Sequence, residues 1–386
     1  MKYHNTVLNQ LLKFLPRHRF QNVVDRHKGD HRTRLLNCWD QLVALLFCQL
    51  SGRQSLRDLV DSFNSKSVHH YHWGTRVIRR SSLADANQNR PVAVFQEAFF
   101  YLLNQVRTAL PKQEAQDMVR LIDSTTLDLN LNRFEWARFR STRAGIKLHT
   151  VYDPHAEVPV FFEMTEAKVN DRKALSSLPM MPGVTYVVDR AYNDYVWYYA
   201  LTEQGSRFVG RMKSNALYEV VETRTAQGDG VLSDEIIRLS SAKAKKACPV
   251  PLRRITFLRA EDQKRLVFIS NDLEFSAEEI AALYKQRWQI ELFFKWIKQN
   301  LKIKQFLGRN KNAMHIQVLV AMITYLMIKL VQLGGYSRLS LQQIYRLISV
   351  NLTSRRTLIQ LLNPDTERRK GHRLSSPQLD FGFSFV

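Results

Sequence analysis

Residues 283–300 read LYKQRWQIELFFKWIKQN. The stretch has neither Pro nor Gly and is rich in good helix formers, so a helix is expected. At about 100° per residue, Tyr284, Arg287, Trp288, Glu291, Lys295 and Lys298 share roughly a third of the circumference. Ile290, Phe293, Phe294, Ile297 and Leu301 fall on the opposite side, a core face. The first face is a cationic stripe around a single carboxylate. A solvated face with Arg287–Glu291 and Glu291–Lys295 pairs at spacing four, each worth a few tenths of a kcal/mol, accounts for that stripe by itself. The rest of the chain decides whether it has a further use.

The chain has 386 residues, 45% of them hydrophobic, enough for a large core and two or three domains. Lys and Arg number 57 against 35 Asp and Glu, a net charge of +22. A folded chain this basic most often meets a polyanion, and nucleic acid leads the candidates. The basic residues recur along the chain, at 76–80, 243–246 and 368–370, so a broad surface is expected and not one tail. Three scattered cysteines, Cys38, Cys48 and Cys248, fit neither a disulfide framework nor a zinc site and suit a reducing cytoplasm. The N-terminus lacks an apolar signal core. The most apolar run, 316–333, is interrupted by Gln317, Lys329 and Gln332 and is expected to be a buried helix, not a membrane span.

Residues 1–110 read as helical. CWDQLVALLFCQLSG stops at Gly52, and SLRDLVDSFNSK starts with Ser55 as N-cap, a pair that suits either a helical hairpin or a helix-turn-helix. DANQNRP (85–91) reads as a polar break before a helix from Val92. The period changes at 117. MVRLID is a short apolar run ending at Asp123; IKLHTVYD and VPVFFEMT read as a hairpin; VTYVVD is a buried strand ending at Asp189, followed by a helix to Gly205. Residues 207–272 read as a mostly β insertion. The expected organisation is α/β: a helical segment at 1–110, a catalytic domain at 117–206 and 273–335, the insertion at 207–272, and a helical basic segment at 336–386.

Two strands thus present aspartates, Asp123 and Asp189, and a helix presents Glu291. Three converging carboxylates repel one another unless cations lie between them, and hard divalent cations such as Mg²⁺ take oxygen ligands of this kind. Two such ions activate a nucleophile and stabilise the leaving oxygen in phosphodiester displacement. Glu291 would then bind metal while Tyr284, Arg287 and Lys298 face nucleic-acid phosphates. Asp128, Asp153, Asp171 and Asp194 are competing carboxylates, an aspartate at a strand end is often only a turn former, and Lys147 and His149 share a strand face that also suits partial exposure.

The spacing Tyr284-x2-Arg287-x3-Glu291-x6-Lys298 resembles the Y-x2-R-x3-E-x6-K signature of DDE transposases of bacterial insertion sequences, in the fourth insertion-sequence family. LIDSTTL and VVDRAYND resemble its first and second aspartate motifs, over about residues 117–305. The resemblance implies a ribonuclease-H-like catalytic domain with a β insertion, preceded by a helical DNA-binding domain. It implies Asp123, Asp189 and Glu291 holding two Mg²⁺ (or Mn²⁺) ions and Tyr284, Arg287 and Lys298 holding DNA phosphates. It implies nicking of the element end, a hairpin intermediate and joining to target DNA. The partners implied are double-stranded element ends and target, within a homodimer, with no membrane and no small-molecule substrate, at the bacterial nucleoid. An aromatic residue that holds a flipped base is expected in the insertion, where no Trp lies between Trp197 and Trp288; Phe208, Tyr218, Phe257, Phe268 and Phe275 are the alternatives. A nuclease that cuts without joining, and a DNA-binding protein derived from a transposase, are the rival readings.

Overall fold

The computed structural model describes residues 5–335 and 338–363. Seven helices come first: α1 (Val7–Leu12), α2 (Arg17–Arg26), α3 (Cys38–Ser51), α4 (Leu56–Asn64), α5 (His70–Trp73), α6 (Arg80–Asn89) and α7 (Val92–Thr108). Then come β1 (Val119–Leu129), β2 (Arg138–Arg140), β3 (Arg143–Asp153), β4 (Val158–Glu166), α8 (Asp171–Ala174), β5 (Thr185–Val188), α9 (Tyr195–Glu203) and β6 (Arg207–Arg211). They are followed by β7 (Tyr218–Arg224), β8 (Val231–Leu239), α10 (Ala242–Ala247), β9 (Leu252–Arg259) and β10 (Lys264–Ser270). The described chain ends with α11 (Ala277–Gln286), α12 (Trp288–Asn300), α13 (Lys311–Leu333), α14 (Leu341–Val350) and α15 (Leu358–Leu362). The basic residues 368–370 lie outside the described residues.

The strands form one mixed sheet in the order β2-β3-β1-β5-β6-β10-β9-β8-β7, with β4 on β3. Strands β1, β5 and β6 are mutually parallel, and the remaining pairings are antiparallel. The sheet passes without a break through the expected start of the insertion at 207. β6 pairs in parallel with β5, and β10 returns antiparallel to β6. The cause is a strand-helix-strand unit, β5-α9-β6, which places a parallel strand beside its predecessor. Only β7, β8 and β9 lie beyond this frame, and they extend the same sheet.

Two other local expectations differ. β1 runs six residues past Asp123, because Thr125, Leu127 and Leu129 bury alternate positions and β-branched and apolar residues in alternation suit a strand. The Ser-Thr-Thr run imitates a turn only in composition. α6 continues through the polar stretch to Asn89, and Arg90 leaves the helix before Pro91, as a residue preceding proline tends to. Buried Gln41 donates to Asn87 Oδ1 at 2.8 Å, so the polar stretch is partly an interior one.

Ser55 caps α4, and Gly52 closes α3 in the left-handed region (φ 73°). α13 is long and apolar enough to cross a membrane, but 89% of its most apolar window is buried inside the protein. It packs against α3, α6 and α7 of the N-terminal segment and against α14 and β4. Helices and sheet therefore share one hydrophobic core. The polar residues of α13 are satisfied: Gln317 Nε2 donates to the Gln305 carbonyl at 3.0 Å, and Lys329 Nζ meets Glu157 at 2.6 Å.

β6 is central to this frame. Phe208 is fully buried and stacks flat on Tyr198 of α9, with centroids 3.9 Å apart. Phe208→Ala is expected to cost about 3–5 kcal/mol, read from urea unfolding of the whole chain.

Candidate active site

α11 and α12 are one nearly continuous helix, interrupted only at Arg287, whose backbone remains in the right-handed helical region (φ −53°, ψ −28°). Ser276 and Glu279 form a capping box at its start, and Ile290, Phe293, Phe294 and Ile297 bury the expected core face. α12 lies against β1, which brings its other face to Asp123.

Arg287 joins the two elements. Its Nη1 donates to Asp123 Oδ2 at 3.1 Å and its Nη2 to Glu291 Oε1 at 2.5 Å. One turn earlier, Tyr284 Oη donates to Asp189 Oδ1 at 3.4 Å, and the Arg287 guanidinium lies 5.6 Å from the Tyr284 ring centroid. Asp189 directly follows β5, which pairs in parallel with β1. The chain thus brings Asp123, Asp189, Glu291, Tyr284 and Arg287 into one group. Lys298 lies two turns further along α12, half-buried.

The Arg287–Glu291 pair of the solvated-face reading does form, but it is only part of the arrangement. The Arg287 side chain is 15% exposed, and its guanidinium also serves Asp123. Tyr284 was expected on an exposed stripe; it is 9% exposed, with its ring 4.9 Å from that of Phe268 on β10. The cause is the sheet face that α11 covers over β5, β6 and β10, which helical periodicity does not show.

Burial raises the Asp123 carboxyl to about 6, more than the bonds from the Ser124 amide and Arg287 lower it, and the charges of Asp189 and Glu291 raise it further. Burial likewise raises the Tyr284 phenol to about 12. Burial opposes the charge on Arg287, but Tyr284, Asp123, Asp189 and Glu291 together overcome it and hold the guanidinium firmly protonated. Its Nε is buried without a hydrogen-bond partner.

Lys147 and His149 turn to a different group. Lys147 Nζ pairs with Asp171 at 3.1 Å, Ser124 Oγ donates to Asp171 Oδ1 at 2.7 Å, and His149 lies between Tyr192 Oη and Thr165 Oγ1, each at 2.9 Å. Asp153 pairs with Arg120, Asp194 pairs with Arg172, and Asp128 is exposed. The sequence reading missed Tyr192 and the bond from Ser124 to Asp171; the alternation 147/149 on β3, opposite 126/124 on β1, was the available signal. Among the aromatic alternatives, Phe208 and Phe268 are buried in the core, while Tyr218 and Phe275 lie under Arg254 and Arg207. Trp288, beside Arg287, is 59% exposed.

Among the described residues, no three His, Cys, Asp or Glu side chains are grouped closely enough to hold a metal ion. Asp123 and Glu291 are bridged by a guanidinium instead. The donor set nonetheless suits a hard divalent cation: carboxylate oxygens only, on rigid elements, around a gap that a positive charge already spans.

A family model for the transposase DDE domain matches residues 114–327, more than half of the chain. The chain belongs to the DDE transposase family. All three carboxylates lie within the matched residues. A domain family of unknown function (DUF4372) matches residues 3–76. A Sinorhizobium fredii protein named as transposase y4zB is 44% identical over 253 residues, 64% of this chain and 70% of that protein. The Geobacillus stearothermophilus protein named as a transposase for insertion sequence element IS5377 is 30% identical over 214 residues, 55% of this chain and 56% of that protein. A piggyBac transposase synaptic complex with hairpin DNA aligns at TM-score 0.46 and 13% identity, over 98% of this chain and 84% of that one, too loosely to bear on mechanism. This DDE transposase is an enzyme acting on DNA.

The raised Asp123 carboxyl has a stability consequence. The folded state holds a proton there that the unfolded chain has already released, so stability present near pH 4 is lost as pH rises to about 6. Asp123→Asn stays neutral throughout. In metal-free buffer containing EDTA, the variant's melting temperature relative to wild type is expected to rise between pH 4 and pH 7, then level off. A flat difference across that range would contradict the raised carboxyl.

Proposed function

We propose that Asp123, Asp189 and Glu291 form the catalytic carboxylate set of a ribonuclease-H-like transposase domain and hold two Mg²⁺ (or Mn²⁺) ions. The observation that supports this reading is a chain of contacts: Arg287 bridges Asp123 and Glu291, and Tyr284, beside Arg287, reaches Asp189 at the end of the strand parallel to β1. When bound, the metals would supply an activated water and stabilise the leaving 3′-oxygen in phosphodiester displacement.

The chain's own residues have separate tasks. The strand and helix backbones fix the carboxylates. Arg287, released from one carboxylate, turns a charge-assisted donor toward a DNA phosphate beside the cut. Tyr284 orients Asp189 through its hydroxyl, and Lys298 holds a phosphate two turns away. Exposed Trp288 offers a stacking surface for a base displaced from the duplex.

The reaction sequence follows the family resemblance. Water nicks the element end to leave a 3′-hydroxyl. That hydroxyl attacks a phosphodiester of the opposite strand, forming a hairpin as the 3′-oxygen of the flanking DNA leaves; a second water hydrolyses the hairpin bond and regenerates the 3′-hydroxyl, which then attacks a target phosphodiester, displacing a target 3′-oxygen as the new bond forms. Residues 1–110, with α3 and α4 about Gly52, take the main part in end recognition, and two copies pair two ends, at the bacterial nucleoid.

Asp123→Asn, Asp189→Asn and Glu291→Gln are each expected to abolish nicking of a terminal-repeat duplex in Mg²⁺ or Mn²⁺ while duplex binding holds. Gel analysis scored for nicks, hairpins and joined products checks this, and wild-type nicking by any of the three removes that residue from the set. Nicks without joined products would favour the plain nuclease. Lys298→Ala is expected to make binding less steeply salt-dependent by about one contact, measured by titration at several salt concentrations.

A further inference from the structure

β1 does not stop at Asp123. It continues to Leu129, paired throughout with β3, so the pair forms an arm reaching about 20 Å past the carboxylate at about 3.3 Å per residue. α12 runs alongside. Arg287 meets Asp123, and the charges acting on Lys298 are Asp128, which supports its proton, and Lys304, which opposes it, while burial lowers its affinity most. Eleven helical residues and five strand residues both span about 16 Å, so helix and strand keep pace.

The tip of this arm is basic and docked on the body of the protein. Arg133, Arg138, Arg140 and Arg143 are all exposed, and among the described residues none of them is held in an ion pair. β2 pairs with the start of β3, setting Arg140 opposite Arg143. Between them Ser141 and Thr142 add no charge. The tip is fastened to the loop between α12 and α13: Trp136 Nε1 donates to the Arg309 carbonyl at 3.0 Å, and the Phe134 ring lies 6.3 Å from that of Phe306. That loop adds exposed Lys304 and Arg309, against Asp128 and Glu135 as the exposed carboxylates nearby in sequence. A solvated surface has no need of arginines on a docked hairpin at the end of a strand that starts from the reacting carboxylates. Phosphate recognition does, since the planar guanidinium matches phosphate oxygens.

We propose that the β2–β3 tip is a second duplex-DNA contact, gripping backbone phosphates about six base pairs from the scissile phosphate, given about 3.4 Å per nucleotide along a strand. This rests on the reading of Asp123 as catalytic for the position of the contact, but not for its existence. The contact is to backbone and carries no sequence preference of its own. It therefore acts on any duplex that continues past the cut on that side, whether element or flank.

Binding of a 40-bp mixed-sequence duplex to the full chain, titrated from low to moderate salt, tests the contact without using the active site. Arg138→Ala/Arg140→Ala/Arg143→Ala is expected to reduce the slope of log affinity against log salt by about 2–3, at about 0.9 per phosphate released. The corresponding triple Lys variant keeps its charge and is expected to retain most of the slope. An unchanged slope in the Ala variant, with its melting temperature intact, overturns the proposal; if that variant is misfolded, loss of slope on charge reversal by Arg140→Glu alone is the deciding result. Position is read separately. The native cysteines Cys38, Cys48 and Cys248 are buried, so Arg140→Cys can be tagged selectively with an iron-EDTA reagent. Cuts on a terminal-repeat duplex should centre about six base pairs from the wild-type nick, on the element or the flank side. Cuts without a centre overturn the assigned position. Failure of the carboxylate reading would appear elsewhere, as nicking that survives Asp123→Asn.

Discussion

Arg287 stands between two carboxylates that arrive from distant parts of the chain, Asp123 on β1 and Glu291 one turn further along its own helix. Buried like charges repel strongly unless something of opposite sign separates them. The guanidinium does this with two donors at once, and it also fixes the height of α12 on β1. From that contact the remaining geometry follows: Tyr284 reaches Asp189 at the end of the neighbouring strand, and Lys298 comes level with Asp128. The same cation shows what kind of ligand the gap suits, since a divalent ion meets the same electrostatic demand with oxygen donors alone.

The long sheet gives this contact its rigidity. β5, β6 and β1 hold the two aspartates on parallel neighbours, while β10, β9, β8 and β7 continue the same hydrogen-bonded surface outward. α13 packs against α12, with Tyr325 between Phe293 and Trp296, and draws the N-terminal helices into the same core. A disturbance in β6 therefore reaches the carboxylates through β5, which lies between β6 and β1, and the N-terminal helices are not energetically separate from that part of the sheet.

Charge is distributed along this scaffold by function of position. Near Asp123 the cations are half-buried and paired, so they stabilise carboxylates. At Lys298 the cation is still half-buried, and at the β2–β3 tip, among the described residues, Arg133, Arg138, Arg140 and Arg143 are exposed and outside any ion pair, as a surface that meets a polyanion would require. The net charge of +22 describes neither arrangement by itself; a buried arginine between acids and an exposed arginine on a hairpin contribute equally to that sum and do opposite things.

Composition and local pattern were enough to establish a basic α/β protein, a helix with one core face and one mixed-charge face, and Asp123, Asp189 and Glu291 as its notable carboxylates, because helical periodicity and apolar runs are properties of neighbours along the chain. The Y-x2-R-x3-E-x6-K spacing added the family. What neighbours along the chain do not carry is which strand pairs with which. The start of β6 reads like any insertion strand until β5 lies beside it, and the Ser-Thr-Thr run after Asp123 reads like a turn until β3 supplies a partner. The exposed stripe of α11 and α12 likewise divided only on folding: Tyr284 went against Phe268 on the sheet face, Arg287 into the carboxylates, and Trp288 stayed outside. Sequence determined which groups could meet; the long-range pairing of strands and the packing of α12 on β1 decided which of them did, since burial and Coulomb energy depend on distance in space and not on distance along the chain.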